Sequence, residues 1–131
     1  MSEVLKFLQK NKIFYLATTV NNVPHVRPLG FIMEYNGKLT FCTSNKKAMY
    51  KQLIANPEVE ICCVDADYNF LRIKGKAEFC TNSTVQQKAL QVMPSLGNIY
   101  SVGDGVFEIF SLNEATAILQ TMSGEKRRLE I

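Results

Sequence analysis

Five consecutive residues, Thr43, Ser44, Asn45, Lys46 and Lys47, combine hydroxyls and cations in a way that could hold an anion. An apolar, strand-like run ends at Cys42, and a stretch with helical spacing opens at about residue 46. The start of a helix already presents partial positive charge and favours Asp or Glu. Lys46 and Lys47 at that place oppose an empty helix and suit one whose first turn faces an anion. The Thr43 and Ser44 hydroxyls can cap the helix or donate to an oxyanion, and the free N–H groups of the first turn point the same way. Taken alone, the pair of lysines fits a solvated helix surface equally well.

Arg27 shifts that balance. It lies mid-strand between Val26 and Pro28, and arginine is the side chain best shaped to grip a phosphate with two hydrogen bonds. Alternation puts it on one face with His25 and Leu29. A hairpin through Asn36-Gly37 then brings the strand carrying Arg27 back beside Lys38–Thr43. Counted outward from that turn, Arg27 and the Thr43–Lys47 loop fall at one end of one sheet. Three cations and two hydroxyls converging there make a phosphate-binding constellation. His25, the single histidine, has no acid or nucleophile beside it and is either a pocket residue or an incidental strand residue. Tyr100, in a long loop, is a candidate for the substrate entrance. Phosphate-loop, dinucleotide-binding, zinc-protease and serine-hydrolase motifs are absent.

These residues need a scaffold of strands. Apolar spacing over residues 3–10 predicts a short amphipathic helix. Strands follow over 13–20, 24–35 and 38–43, then a helix over about 46–55 with Met49, Tyr50, Leu53 and Ile54 on one face, ended by Asn56-Pro57. Further strands are expected over 59–66 and 70–80. A helix over 83–93, capped by Thr81 or Asn82, comes next. Residues 94–105 read as a loop, and two last strands are hinged at Asn113. The expected fold is mainly β: a single domain over residues 1–131, a six- to seven-stranded antiparallel barrel of Greek-key type with about three short helices.

Composition excludes several classes. The 131 residues carry a net charge of +3, with 47% hydrophobic and 21% charged residues. That suits a soluble globular chain, and the mild basic excess lacks the concentrated face of a nucleic-acid binder. No apolar run reaches the length of a membrane span, and the N-terminus lacks a signal-peptide core, so a cytoplasmic location is expected. The four cysteines, Cys42, Cys62, Cys63 and Cys80, sit in strand-like segments without CxxC spacing. They read as small buried thiols with no metal site.

The ordered set Arg27-Pro28, then Thr43-Ser44 with Lys46-Lys47, then Gln52-Leu53 with Asn56-Pro57 and Val59, then Gly75-Lys76-Ala77-Glu78, resembles the pyridoxamine 5′-phosphate oxidase-like family of FMN-binding split barrels. It is most similar to the short bacterial branch with nitroimidazole-resistance-type reductases. The resemblance runs over about residues 4–80. It implies a homodimer with FMN at the interface, its phosphate on Arg27 and Lys47 with Thr43, Ser44 and Lys46 beside them, and the Pro28–Leu29 backbone along the flavin ring. It implies a flavin-dependent oxidoreductase of small molecules such as nitro compounds or quinones, with NAD(P)H as a donor. A flavin carrier or redox sensor without turnover, or a haem- or deazaflavin-binding barrel, are the alternatives. Phe70 stands where the true oxidases carry glutamine, and the chain has no tryptophan, so oxidation of pyridoxamine 5′-phosphate is not expected.

Overall fold

A computed structural model describes all residues, 1–131. Helix α1 (Ser2–Asn11) buries Val4 and Leu8. It leads into β1 (Phe14–Val20) and β2 (Val23–Leu29). The turn between them is Asn21-Asn22, both at positive φ, a conformation asparagine tolerates better than most residues. β3 (Met33–Tyr35) and β4 (Lys38–Ser44) follow, joined by Asn36 and Gly37 at φ 51° and 75°. This is the two-residue hairpin expected of Asn-Gly.

Helix α2 (Ala48–Ala55) connects to β5 (Glu58–Val64) and β6 (Phe70–Phe79). Helix α3 (Ser83–Val92) is capped by the Asn82 side chain, which accepts from the Val85 N–H at 2.9 Å. A 3₁₀ turn (Pro94–Asn98), β7 (Phe107–Gln120) and β8 (Lys126–Leu129) complete the chain.

The eight strands form one antiparallel sheet in the order β2-β1-β5-β6-β7-β4-β3, with β8 added to β7. β4 lies beside β7 rather than beside β5, which follows it, and this gives the Greek-key order. β2 and β3, at the two ends of that order, are consecutive in the chain, and Gly30–Ile32 spans the gap. β2 pairs only with β1, and β3 pairs only with Lys38–Thr40 of β4. The upper part of β4 and the outer edge of β2 therefore face each other without a ladder. That gap splits the barrel.

Three expectations change. The strand over 24–35 is two strands, so Arg27 pairs with Leu16 of β1 and not with β4. The hinge at Asn113 is a bend within one strand, marked by Glu114 at φ 51° and a register shift opposite Gly75. With β8, the strands number eight. On α2, Met49 and Leu53 are buried, Tyr50 packs on Phe79 at 4.9 Å, and Ile54 is 60% exposed.

The main core fills the barrel, with Phe14, Leu16, Phe41, Ile61, Ile73 and Phe110 fully buried. A second core lies between α3 and β4–β7 and includes Phe31, Val85, Tyr100, Phe107 and Ile109. Tyr100 stacks on Phe107 at 4.5 Å and 11°. No helix is long and apolar enough to cross a membrane.

Candidate functional site at the split of the barrel

The split exposes what a closed sheet would hide. From the β2 side, Arg27 shares a face with Leu16 and Thr18. Its guanidinium donates through Nη1 to the Leu16 carbonyl (3.2 Å) and to Thr18 Oγ1 (2.9 Å), and through Nη2 to Gln52 Oε1 of α2. Burial lowers the Arg27 pKa from its ordinary value, because a partly desolvated cation is less favourable than a hydrated one. No carboxylate pairs with it, or with Lys46 or Lys47.

The β4 side supplies hydroxyls and a turn. The Ser44 carbonyl accepts from the Lys47 N–H (3.0 Å) and its Oγ from the Lys46 N–H (3.1 Å). Those bonds form a turn before the helix, so α2 starts at Ala48, two residues later than the expected 46. Lys47 is its N-cap and contributes no side-chain cap; neither Thr43 nor Ser44 caps it. Asn45 anchors the turn to the far loop: its N–H donates to Val106 O, and its Nδ2 to Gly105 O and Glu108 Oε2, at 2.8–3.0 Å. Thr43 is 2% exposed, and its Oγ1 is a buried polar atom without a hydrogen-bond partner. Leaving such a hydroxyl unpaired costs about 1–3 kcal/mol; Thr43 itself is not among the residues lining the groove across the split.

A groove of about 270 Å³ opens across the split, lined mainly by apolar residues. Pro28, Leu29, Cys42, Lys47, Leu96 and Tyr100 are among them. Burial pushes the Cys42 thiol up to about 12, partly offset by the charge of Lys47, so Cys42 is a neutral wall residue. Burial also raises the Tyr100 phenol, with Cys42 and Asp104 adding to the effect. Asp104 holds that wall by accepting the N–H groups of Ser101, Val106 and Phe107 at 2.8–3.0 Å.

Of the residues singled out in the sequence, the groove brings together Pro28, Leu29, Lys47 and Tyr100. Arg27, Thr43 and Ser44 border the split on their strands, and Lys46 is exposed on the turn. His25 pairs with Thr18 on β2, two residues from Arg27, and is not part of the groove lining. Sequence reasoning missed Thr18 and Gln52 as site residues and gave Asn45 no role of its own, because each takes part only through contacts made by folding. The Gln52-Leu53 motif was visible, without its meaning. Cys62 is exposed, unlike the buried thiol expected.

The donor set fits a phosphate-bearing flavin. It holds unpaired cations, an orphaned hydroxyl, and an apolar groove large enough for part of a ring system. Nothing in it resembles a metal site, since no group of three His, Cys, Asp or Glu converges.

Known proteins share this architecture. A family model described as pyridoxamine 5′-phosphate oxidase matches residues 1–108. A NimC/NimA family protein from Clostridium acetobutylicum is 35% identical over 100% of this chain and 92% of its own, with a TM-score of 0.95. General stress protein 26 from Bacillus anthracis is 19% identical over 98% and 97%, with a TM-score of 0.76. An FAD-binding protein from Mesorhizobium loti is 17% identical over 92% and 94%, with a TM-score of 0.62. No curated protein matches the chain.

Proposed function

The chain belongs to the pyridoxamine 5′-phosphate oxidase family, and from that premise we infer that it is an FMN-binding flavoprotein that oxidises or reduces a small organic molecule. Family membership carries the fold and flavin binding, while the reaction has to be argued from the site. The observation that carries the reading is Arg27: a half-buried guanidinium without a carboxylate partner, held by Leu16, Thr18 and Gln52 beside an open split. A partly desolvated, unpaired cation is costly unless a ligand supplies the counter-charge.

Arg27, Lys47 and the Thr43 hydroxyl would hold the phosphate, with Ser44 and Lys46 on the same turn. The Ser44 Oγ already accepts from Lys46 N–H, and its own proton is left to donate. Pro28 and Leu29 on the unladdered edge of β2, together with Leu96 and Tyr100, would wall the ring and exclude water. Bound FMN supplies hydride or single-electron chemistry to a substrate, with NAD(P)H as the proposed donor. Cys42, with its thiol pushed up to about 12, contributes no base, and Tyr100 offers a phenol that stays protonated at neutral pH.

A second copy of the chain completes the site in this reading. The groove measures about 270 Å³, just under the roughly 300–1,000 Å³ of enclosed ligand sites. Pro28 lines it and heads a row that runs through Tyr15, Cys62 and Arg72 to Ile118 across the outer face of the sheet. Tyr15, Val26 and Ile118 on that face are 48%, 69% and 43% exposed. These apolar side chains stand beside the charged Arg72, Lys74 and Glu60, a mixed surface suited to a like surface. A copy seated there also closes the groove.

The test is spectroscopic. Protein purified and mixed with FMN is expected to be yellow, with flavin absorbance that stays with the dimer through gel filtration, and to turn over NAD(P)H with a nitroaromatic or quinone acceptor. A Soret band with added haem and no retained flavin overturns the reading. Retained flavin without turnover leaves a carrier.

A further inference from the structure

Gln52 lies mid-helix on α2, outside the groove lining, yet its side-chain oxygen joins the two groups that hold Arg27. Thr18 Oγ1 donates to Gln52 Oε1 at 2.7 Å, Arg27 Nη2 donates to the same oxygen, and Arg27 Nη1 donates to Thr18 Oγ1 at 2.9 Å. Arginine only donates, so the Gln52 atom facing it is the oxygen, and the three bonds close into a ring in which both branches lead from Arg27 to that one acceptor. Nη1 also reaches the Leu16 carbonyl. Of the five N–H donors of a guanidinium, three are thereby committed. Nε–H and one Nη2–H remain. On a planar guanidinium they form the side-on fork that matches two oxygens of a phosphate.

The identity of residue 52 matters as much as its reach. A glutamate there would accept the same two bonds and cancel the arginine's charge. An amide oxygen accepts both and adds none. Thr18, 1% exposed, both accepts and donates through its hydroxyl in this arrangement, so the ring is part-buried while the charge stays available.

We propose that Gln52 is a positioning residue of the anion site: through Thr18 it aims the free fork of Arg27, preserves its charge, and so sets the preference for a phosphorylated ligand over the same ligand without phosphate. This rests on the flavin reading above. Its test compares FMN and riboflavin binding by flavin fluorescence, with ligand-free melts, in the unaltered protein, Gln52→Glu, Gln52→Leu and Arg27→Ala. Gln52→Glu keeps the ring, so its melt is expected to match or exceed that of the unaltered protein. Its FMN affinity is expected to fall about tenfold or more while riboflavin stays within about twofold, since only the phosphate loses a charge-assisted contact. Gln52→Leu is expected to weaken FMN selectively by about three- to tenfold, and it decides the matter should the glutamate variant fail to fold.

Equal loss of both ligands, or unchanged FMN binding in both Gln52 variants, overturns the proposal. If Arg27→Ala alone removes the preference for FMN, the flavin reading stands and the positioning role falls. An unaltered protein that binds neither ligand overturns both.

Discussion

Two charged regions of this molecule use the same residue types to opposite ends. On the outer face of β5 and β6, each cation has a carboxylate: Arg72 and Lys74 share Glu60 at 3.1 and 3.6 Å, and Lys76 meets Glu114 at 2.9 Å. A groove of about 230 Å³ beside them is lined by Arg72 and Lys74, which share Glu60, and by Lys126, which has no carboxylate. At the split, Arg27, Lys46 and Lys47 have no carboxylate, and the hydroxyl of Thr43 has no partner at all. Arg27 is half-buried without a counter-charge, and Lys46 and Lys47 stand exposed and unpaired beside it. Burial without a counter-charge at Arg27, not the number of cations, marks the functional region.

The largest expected effect comes from removing the incomplete charges. Arg27→Ala combined with Lys47→Ala should weaken FMN about a hundredfold or more, since each charge-assisted hydrogen bond contributes about 1.5–3 kcal/mol. Riboflavin should change by less than about threefold in the same titration. Lys76→Ala, its counterpart on the paired face and outside the row proposed to meet the second copy, should leave both ligands where they were; if it weakened FMN as much, the contrast between the regions would be lost.

Next comes Thr43→Val, for which binding and stability should move in different directions. Replacing an unpartnered buried hydroxyl by a methyl of similar shape is expected to leave the ligand-free protein as stable or more stable by about 1 kcal/mol, while FMN weakens about five- to tenfold. Calorimetric melts and FMN titration together check this. A clear drop in stability would mean the hydroxyl serves the chain.

Asp104 offers an intermediate case, a carboxylate used by the fold. Three backbone N–H bonds hold its pKa below the ordinary value of 3.8. A depressed carboxylate contributes stability that is fully present above the unfolded value and is lost as pH falls through the folded one. Tyrosine near-ultraviolet dichroism from the Tyr100 wall should therefore stay constant from pH 7 to 5 and change only well below 4. A transition near neutrality would point to a different titrating group. The smallest effect belongs to Glu114→Gln, where an exposed pair such as that with Lys76 contributes little to stability. Its melt should shift by a degree or two and its flavin affinity not at all.

What could be read in the chain was local. Asn21-Asn22 and Asn36-Gly37 announce their hairpins because only a few residue types tolerate positive φ. Asn82 declares its helix by capping chemistry. The split is implied by the family resemblance and not by local spacing, because it depends on β7 arriving between β4 and β6 from a distant part of the chain, a pairing that no spacing near Arg27 encodes. For the same reason the pairing expected of Arg27 is wrong: it lies opposite Leu16 of β1 and meets α2 through Gln52 rather than β4 through a ladder. The two-residue error at the start of α2 came from Ser44, whose carbonyl and hydroxyl make a turn that sequence pattern alone does not separate from a first helical turn. Gln52 itself looks like any polar helix residue until the fold sets Thr18 and Arg27 against it.

The central claim is that the split holds a phosphate. Titrating the unaltered protein with FMN and with riboflavin under identical salt conditions tests it most directly. The account predicts FMN binding about a hundredfold tighter or more. Equal affinities for the two, or no binding of either, would contradict it.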